Sequence, residues 1–307
     1  MKKREFDLDA KRILIYLVIT FAITYVLEIG VIRKFVMSED LVTVAIGQLM
    51  VAMVMFIPAI GVLLTRLLTK EGFKNSWLHP NLKGNVKYYL IAWFAPVVLT
   101  IIGAIIYFLI NPSNLSFDLE YLKSTYEKTG ITIEETQLKA TLAVQIVVGL
   151  FLSPVVNAIT CFGEEWGWRG YLLPKMADKF KVVPTLLITG VIWGLWHAPL
   201  TVLGHNYGLD YIGHPYLGII AMCIFCIVLG TIFSYLSWKT KSCLPAVIAH
   251  GSINGFAAVA IYFTKDGGNP FIGPAPTGII GGIAFIILAI VCALLLVREE
   301  KSHIQSQ

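Results

Sequence analysis

The chain has 307 residues, 57% hydrophobic and 14% charged, with a mean hydropathy of +0.75. Soluble domains are roughly half apolar and about a quarter charged, so this composition excludes an ordinary soluble globule, and it equally excludes intrinsic disorder, which needs low hydrophobicity and high net charge. The net charge of +5 calls for no nucleic-acid partner, because the basic residues are distributed as a membrane protein distributes them.

A spanning helix needs roughly 20 mostly apolar residues. In chain order, the segments that meet or approach this are 13–32, 41–65, 89–110, 141–163, 184–203, 216–236, 243–263 and 275–297. None alternates with the period of two that marks a membrane strand. The first run is too long for a secretory h-region and lacks a small-residue cleavage site, so it reads as a retained helix. Between the second and third runs, 66–88 is basic and suits a leaflet of anionic lipid. The stretch 111–140 is acidic, with Asp118, Glu120, Glu127, Glu134 and Glu135, and reads as a solvated loop holding one short amphipathic helix near 120–129. Gly and Pro make 264–276 irregular. No internal repeat supports the inverted-repeat plan of many transporters. Cys161, Cys223, Cys226, Cys243 and Cys292 read as small apolar residues of the spans.

With the N-terminus inside, eight spans leave Arg33, Lys34, Lys123, Lys128, Lys139 and Lys265 outside. The other 18 of the 24 basic residues, beginning with Lys2, Lys3 and Arg4, fall in inner segments. This three-to-one bias predicts both termini cytoplasmic. The expected fold is an all-α polytopic membrane helical bundle of about eight transmembrane helices. It forms a single membrane domain over 1–307, with a core at 141–263.

Ionisable residues inside apolar spans are expensive and face the bundle interior or a cavity. Glu28, near the outer end of the first span and close to Arg33 and Lys34, reads as an interfacial carboxylate. Three other places are harder to dismiss. The segment Cys161-Phe-Gly-Glu164-Glu165-Trp-Gly-Trp-Arg169-Gly-Tyr171 continues the fourth run, and Pro174 is its first plausible helix stop. A helix over 141–173 exceeds one bilayer thickness and must tilt or protrude. Asn157, Thr160 and Glu164 share a face of it, and Glu165 and Arg169 pair at i,i+4. In the fifth span, Trp193 and His197 lie one turn apart, with Gly190 and Gly194 admitting a close neighbour. In the seventh, His250 and Asn254 share a face. His79, His205, His214 and His303 fall in loops or the tail and receive no role.

Taken singly, each group has a bland structural reading. Together, Glu164, His197, His250 and Asn254 offer a base, two imidazoles and an amide on three helices. Hydrolysis of a peptide bond by water needs a base and donors for the oxyanion. Glu164 suits the base, His197 can hold the water, and His250 with Asn254 can meet the oxyanion. The same residues admit a zinc scheme, with His197, His250 and Glu164 as ligands and Glu165 as base. The HExxH helix is absent, no Asp lies in a span, and no G-x-S-x-G elbow surrounds Ser153, Ser234 or Ser252.

Glu-Glu-x-x-x-Arg, aromatic-x-x-x-His and His-x-x-x-Asn, in that order, resemble the three motifs of the CPBP family. These are the CAAX-processing and bacteriocin-processing membrane proteases, which include the Ras-converting CAAX endopeptidases and the bacterial Abi proteins. The resemblance covers 141–263, with Trp193 where the family commonly has Phe. It implies an eight-helix intramembrane endopeptidase acting on a peptide or prenylated protein near the bilayer. It further implies Glu164 and His197 as activators of water, His250 and Asn254 as oxyanion donors, and Glu165, Arg169 and Trp193 as supporting residues. The family is called metalloprotease, yet a metal-free glutamate mechanism is also argued for it. The expected location is a bacterial cell membrane, or the endoplasmic reticulum in a eukaryote. The competing readings are a transporter with a polar path and a non-catalytic immunity or peptide-binding protein of the same fold.

Overall fold

The structure, a computed structural model, describes residues 2–305, with side chains described over 8–302. The side chains of Lys2, Lys3 and Arg4 in the orientation count, and of His303, lie outside the described residues. The described chain is helical, broken by turns and by two isolated β-bridges, Leu115 with Thr264 and Asn269 with Gly273. Six helical segments are long and apolar enough to cross a membrane: Leu8–Val36, Leu41–Leu68, Val86–Ile110, Glu135–Val156, Tyr216–Thr240 and Leu244–Phe263. Val182–Trp196 is a shorter apolar helix. This is an integral membrane protein. The short helix expected in the acidic loop is present at Glu120–Lys128.

The chain divides into two compact units, each with its own packing. The first comprises residues up to 88, 159–247 and 291 onward. It contains α1 (Lys2–Leu27), α2 (Leu41–Val54) and α3 (Ile57–Leu68). α1 runs on through a π turn at Glu28–Ile32 and packs against α3. Gly61 makes that crossing possible, since a Cβ there would lie 2.2 Å from Thr20 Oγ1. A second close pair is α9 (Val182–Trp196) with α11 (Tyr216–Thr240). A Cβ on Gly190 would meet the Ile227 backbone at 2.6 Å, and one on Gly194 the Cys223 backbone at 2.4 Å. These are the small residues by which membrane helices approach one another closely. At one end of the unit, Glu71 gathers Arg12 (3.6 Å), Lys175 (2.6 Å) and the Tyr171 hydroxyl, which donates to it at 2.9 Å. Burial and the neighbouring Glu71 carboxylate hold the Tyr171 hydroxyl far above its ordinary titration range.

The second unit comprises 89–158 and 248–290. It holds most of α4 (Val86–Ile110), α5 (Glu120–Lys128), α6 (Glu135–Val147) and the C-terminal part of α12 (Leu244–Phe256). Leu119, Leu122, Leu138 and Leu142 form one of its buried clusters, and Val97, Phe256 and Val259 another. A Cβ on Gly251 would lie 2.9 Å from Pro154 O, and one on Gly255 2.2 Å from Ser153 Cβ. The spacing Gly251-x-x-x-Gly255 therefore seats α12 directly on the chain at 153–158.

The structure corrects three expectations. The fourth run is not one helix stopped by Pro174. α6 passes through a π turn at Val148–Leu152, breaks at Asn157, resumes as α7 (Ala158–Gly167), passes a second π turn at Trp168–Leu172 and continues as α8 (Leu173–Ala177). Both internal prolines, Pro154 and Pro174, follow a π turn and sit in the first turn of the next helical segment. Proline lacks the N–H and clashes with the carbonyl four residues earlier, and the wider turn resolves both problems. The last apolar run begins its helix, α13, at Ile283; residues 275–282 are turns because Gly281 and Gly282 pack on the carbonyls of Pro274–Pro276. The third concerns Glu28, which is fully buried and not interfacial.

Candidate active site

The acidic motif sits on α7, close against the α2–α3 junction. A Cβ on Gly163 would lie 2.4 Å from Met55 O, and one on Gly167 2.5 Å from Pro58 Cβ. That contact buries the turn between the two glycines, so Glu164 and Glu165 are 2% and 0% exposed. Each has a partner of its own. Glu165 pairs with Arg169 at 3.0 Å. The Arg169 guanidinium lies 4.2 Å over the Trp193 ring, and Gly230 leaves room for it, since a Cβ there would lie 3.0 Å from its Nη2. The buried guanidinium thus meets the Glu165 carboxylate and an aromatic face, the kind of pairing a charge needs away from water.

Glu164 turns instead to α9. Its Oε2 accepts a hydrogen bond from Trp193 Nε1 at 2.8 Å, with Trp168 Nε1 at 3.4 Å. Trp193 also holds the histidine, because its carbonyl lies 2.9 Å from His197 Nδ1. A carbonyl only accepts, so in this bond Nδ1 carries the proton and Nε2 is the ring's acceptor nitrogen when the imidazole is neutral. His197 is 8% exposed and caps the C-terminal end of α9, where Pro199 opens the next short helix, α10 (Ala198–Val202). One residue, Trp193, therefore fastens the carboxylate through its side chain and the imidazole through its backbone.

In the second unit, His250 is 5% exposed, and Asn254, one turn further along α12, is exposed. The helix is anchored by Ser252 Oγ donating to Trp93 O at 2.7 Å and by Asn157 Nδ2 donating to Gly251 O at 3.1 Å. Asn157 thus serves α12. The structure brings Glu164, Glu165, Arg169, Trp193 and His197 together in one unit and places His250 and Asn254 on one helix of the other.

Several neighbours carried no signal in the sequence. Cys226 Sγ lies 3.9 Å from His197 Nδ1, and the exposed His205 ring runs parallel to that of His197, centroids 6.4 Å apart. Glu28 is 0% exposed, whereas Arg33 and Lys34 are exposed, so it is not an interfacial carboxylate. A signal for it exists: Tyr16, Thr20, Thr24 and Glu28 recur every four residues along α1, and all four are fully buried. Among the described residues, no group of three His, Cys, Asp or Glu side chains gathers to hold a metal ion. The set His197, His250 and Glu164 is thus not gathered as a metal site among the described residues.

The comparison with known families agrees with the three motifs. Residues 140–256 match the model of the family described as type II CAAX prenyl endopeptidase Rce1-like. Among curated proteins, the chain is similar to lysostaphin resistance protein A of Staphylococcus haemolyticus (strain JCSC1435), with 24% identity over 180 residues. The match takes in 58% of this chain and 44% of that protein, so the chain spans under half the length of the relative.

Proposed function

We propose that this protein is an intramembrane endopeptidase that hydrolyses a peptide bond near the bilayer with a glutamate-activated water. The observation that carries the proposal is the common anchorage of Glu164 and His197 on Trp193, in a buried setting where a lone carboxylate is otherwise costly. In this reading Glu164 takes a proton from a water that His197 Nε2 helps to hold. The water oxygen attacks the scissile carbonyl carbon. His250 and Asn254 donate to the oxyanion, and Glu164 returns the proton to the leaving amine as the C–N bond breaks. Glu165 and Arg169 keep α7 in place. The core is 141–263, the partners are the bilayer and a peptide or prenylated protein, and the location is a bacterial cell membrane.

The test is cleavage of a farnesylated Cys-a-a-X peptide by purified protein in detergent. Glu164→Gln should lower the rate roughly 100-fold or more, and His250→Ala should lower it by an amount typical of a lost oxyanion donor, also roughly 100-fold. Wild-type rates in Glu164→Gln refute the assigned base. Activity lost to a chelator and restored by zinc replaces this scheme with the metal one.

The name of the curated relative favours a second reading, a resistance role, which a protein of this fold could exert without cleavage. It predicts that a resistance phenotype in cells survives Glu164→Gln, whereas the peptidase reading predicts its loss.

A further inference from the structure

Glu28 lies outside the segment that matches the family, on the first helix, and its burial has no structural explanation. Its carboxyl group is fully enclosed, and among the described residues neither oxygen has a hydrogen-bond partner. Leaving a buried polar group unsatisfied is costly, and an intramembrane acid usually faces a cavity or a functional partner. Neighbouring contacts show where this acid points. On the preceding turn, Thr24 Oγ1 accepts from Trp196 Nε1 at 2.8 Å, and Tyr25 donates its hydroxyl to Leu195 O at 2.6 Å. Thr24 and Glu28 share a face, so Glu28 comes next along α1 at the end of α9, where His197 stands. The π turn that begins at Glu28 packs on α10, directly after His197. Such turns re-aim side chains and recur at functional sites. Finally, Glu28 is near enough to Glu164 for the two carboxyl groups to interact electrostatically.

From this geometry we infer that Glu28 is a further residue of the active site, a second carboxyl group that holds the attacking water on the α1 side while Glu164 activates it. This rests on the peptidase reading above. It explains why an unsatisfied acid is kept inside the unit: the missing partner is the water of the reaction.

The consequence is an opposition between stability and activity. Replacing an unsatisfied buried acid with an apolar side chain of similar length removes a destabilising group, so Glu28→Met should melt at the wild-type temperature or higher. Its kcat on the farnesylated Cys-a-a-X peptide should fall roughly 10- to 100-fold with KM within about twofold, the size expected for loosening one group of a general-base site. Glu28→Gln, which keeps hydrogen-bonding atoms in place, should recover most of kcat. Wild-type kcat in Glu28→Met overturns the inference, and so does a fall in kcat accompanied by a lower melting temperature. If Glu28→Met does not fold, Glu28→Ala replaces it under the same criteria; if neither folds while Glu28→Gln does, Glu28 is structural and the inference is overturned. Glu164→Gln in the same assay separates the two levels. An inactive Glu164→Gln beside a fully active Glu28→Met sinks only the role of Glu28. An active Glu164→Gln, or a wild type that cleaves neither the farnesylated nor the unmodified peptide, sinks the peptidase reading and this inference with it.

Discussion

Two adjacent carboxylates, Glu164 and Glu165, are equally buried and chemically identical, yet their surroundings separate them. Glu165 meets a guanidinium that is itself stacked on Trp193 and boxed in by Gly230. Glu164 meets an indole N–H on the helix that presents His197. Removing Arg169 strands Glu165, and breaking a buried ion pair from one side costs about 3–5 kcal/mol. Arg169→Met should therefore lower the melting temperature and the folded yield well before any specific effect on rate is seen. A normal melting temperature with lost cleavage would mean the roles of the two carboxylates are interchanged. Trp193→Phe keeps the aromatic face under Arg169 but removes the donor to Glu164. It should leave folding near wild type and lower kcat roughly tenfold, a measurement that isolates the 2.8 Å bond from the packing.

At the scale of helices, glycines set how close the elements come. Gly190 and Gly194 bring α9 onto α11, and Gly251 and Gly255 bring α12 onto 153–158. Adding a branched side chain where a Cβ would already lie 2.4 Å from backbone leaves only helix separation as a response. Gly194→Val should therefore lower the melting temperature steeply and abolish cleavage, because His197 rides on the displaced helix. Gly30, which has nothing within 4 Å of an added Cβ, is the matched control and should tolerate alanine with little change. The π turns belong to this scale too. Those before Pro154 and Pro174 let one long helical path accept prolines, and the one at Glu28 redirects the first helix beside α10.

For the whole molecule, the charge asymmetry makes a topological prediction. Single cysteines placed at Lys123 and Lys265 in a cysteine-free background should react with an impermeant thiol reagent added outside intact cells. Cysteines at Lys74 and Lys179 should react only after permeabilisation. The opposite pattern would invert the orientation drawn from Lys and Arg.

Much of this architecture was legible because it is local. Runs of apolar residues announce spans, i,i+4 spacing announces the Glu165–Arg169 pair, and the Gly190/Gly194 stripe announces a close neighbour; each is carried by a few consecutive turns of one helix. The order of the three motifs likewise pointed to the family whose model matches 140–256. What periodicity could not supply is which faces meet. Thr24 and Trp196 are 172 residues apart, so the recurrence of Tyr16, Thr20, Thr24 and Glu28 marks one face of the first helix, but nothing near Glu28 in the chain says that this face is enclosed against the end of α9. The same holds for Asn157, whose partner is the backbone of Gly251, and for a helix that continues past Pro174 where local rules end it. Burial of a polar group is a property of packing between distant segments, and only the folded chain specifies it.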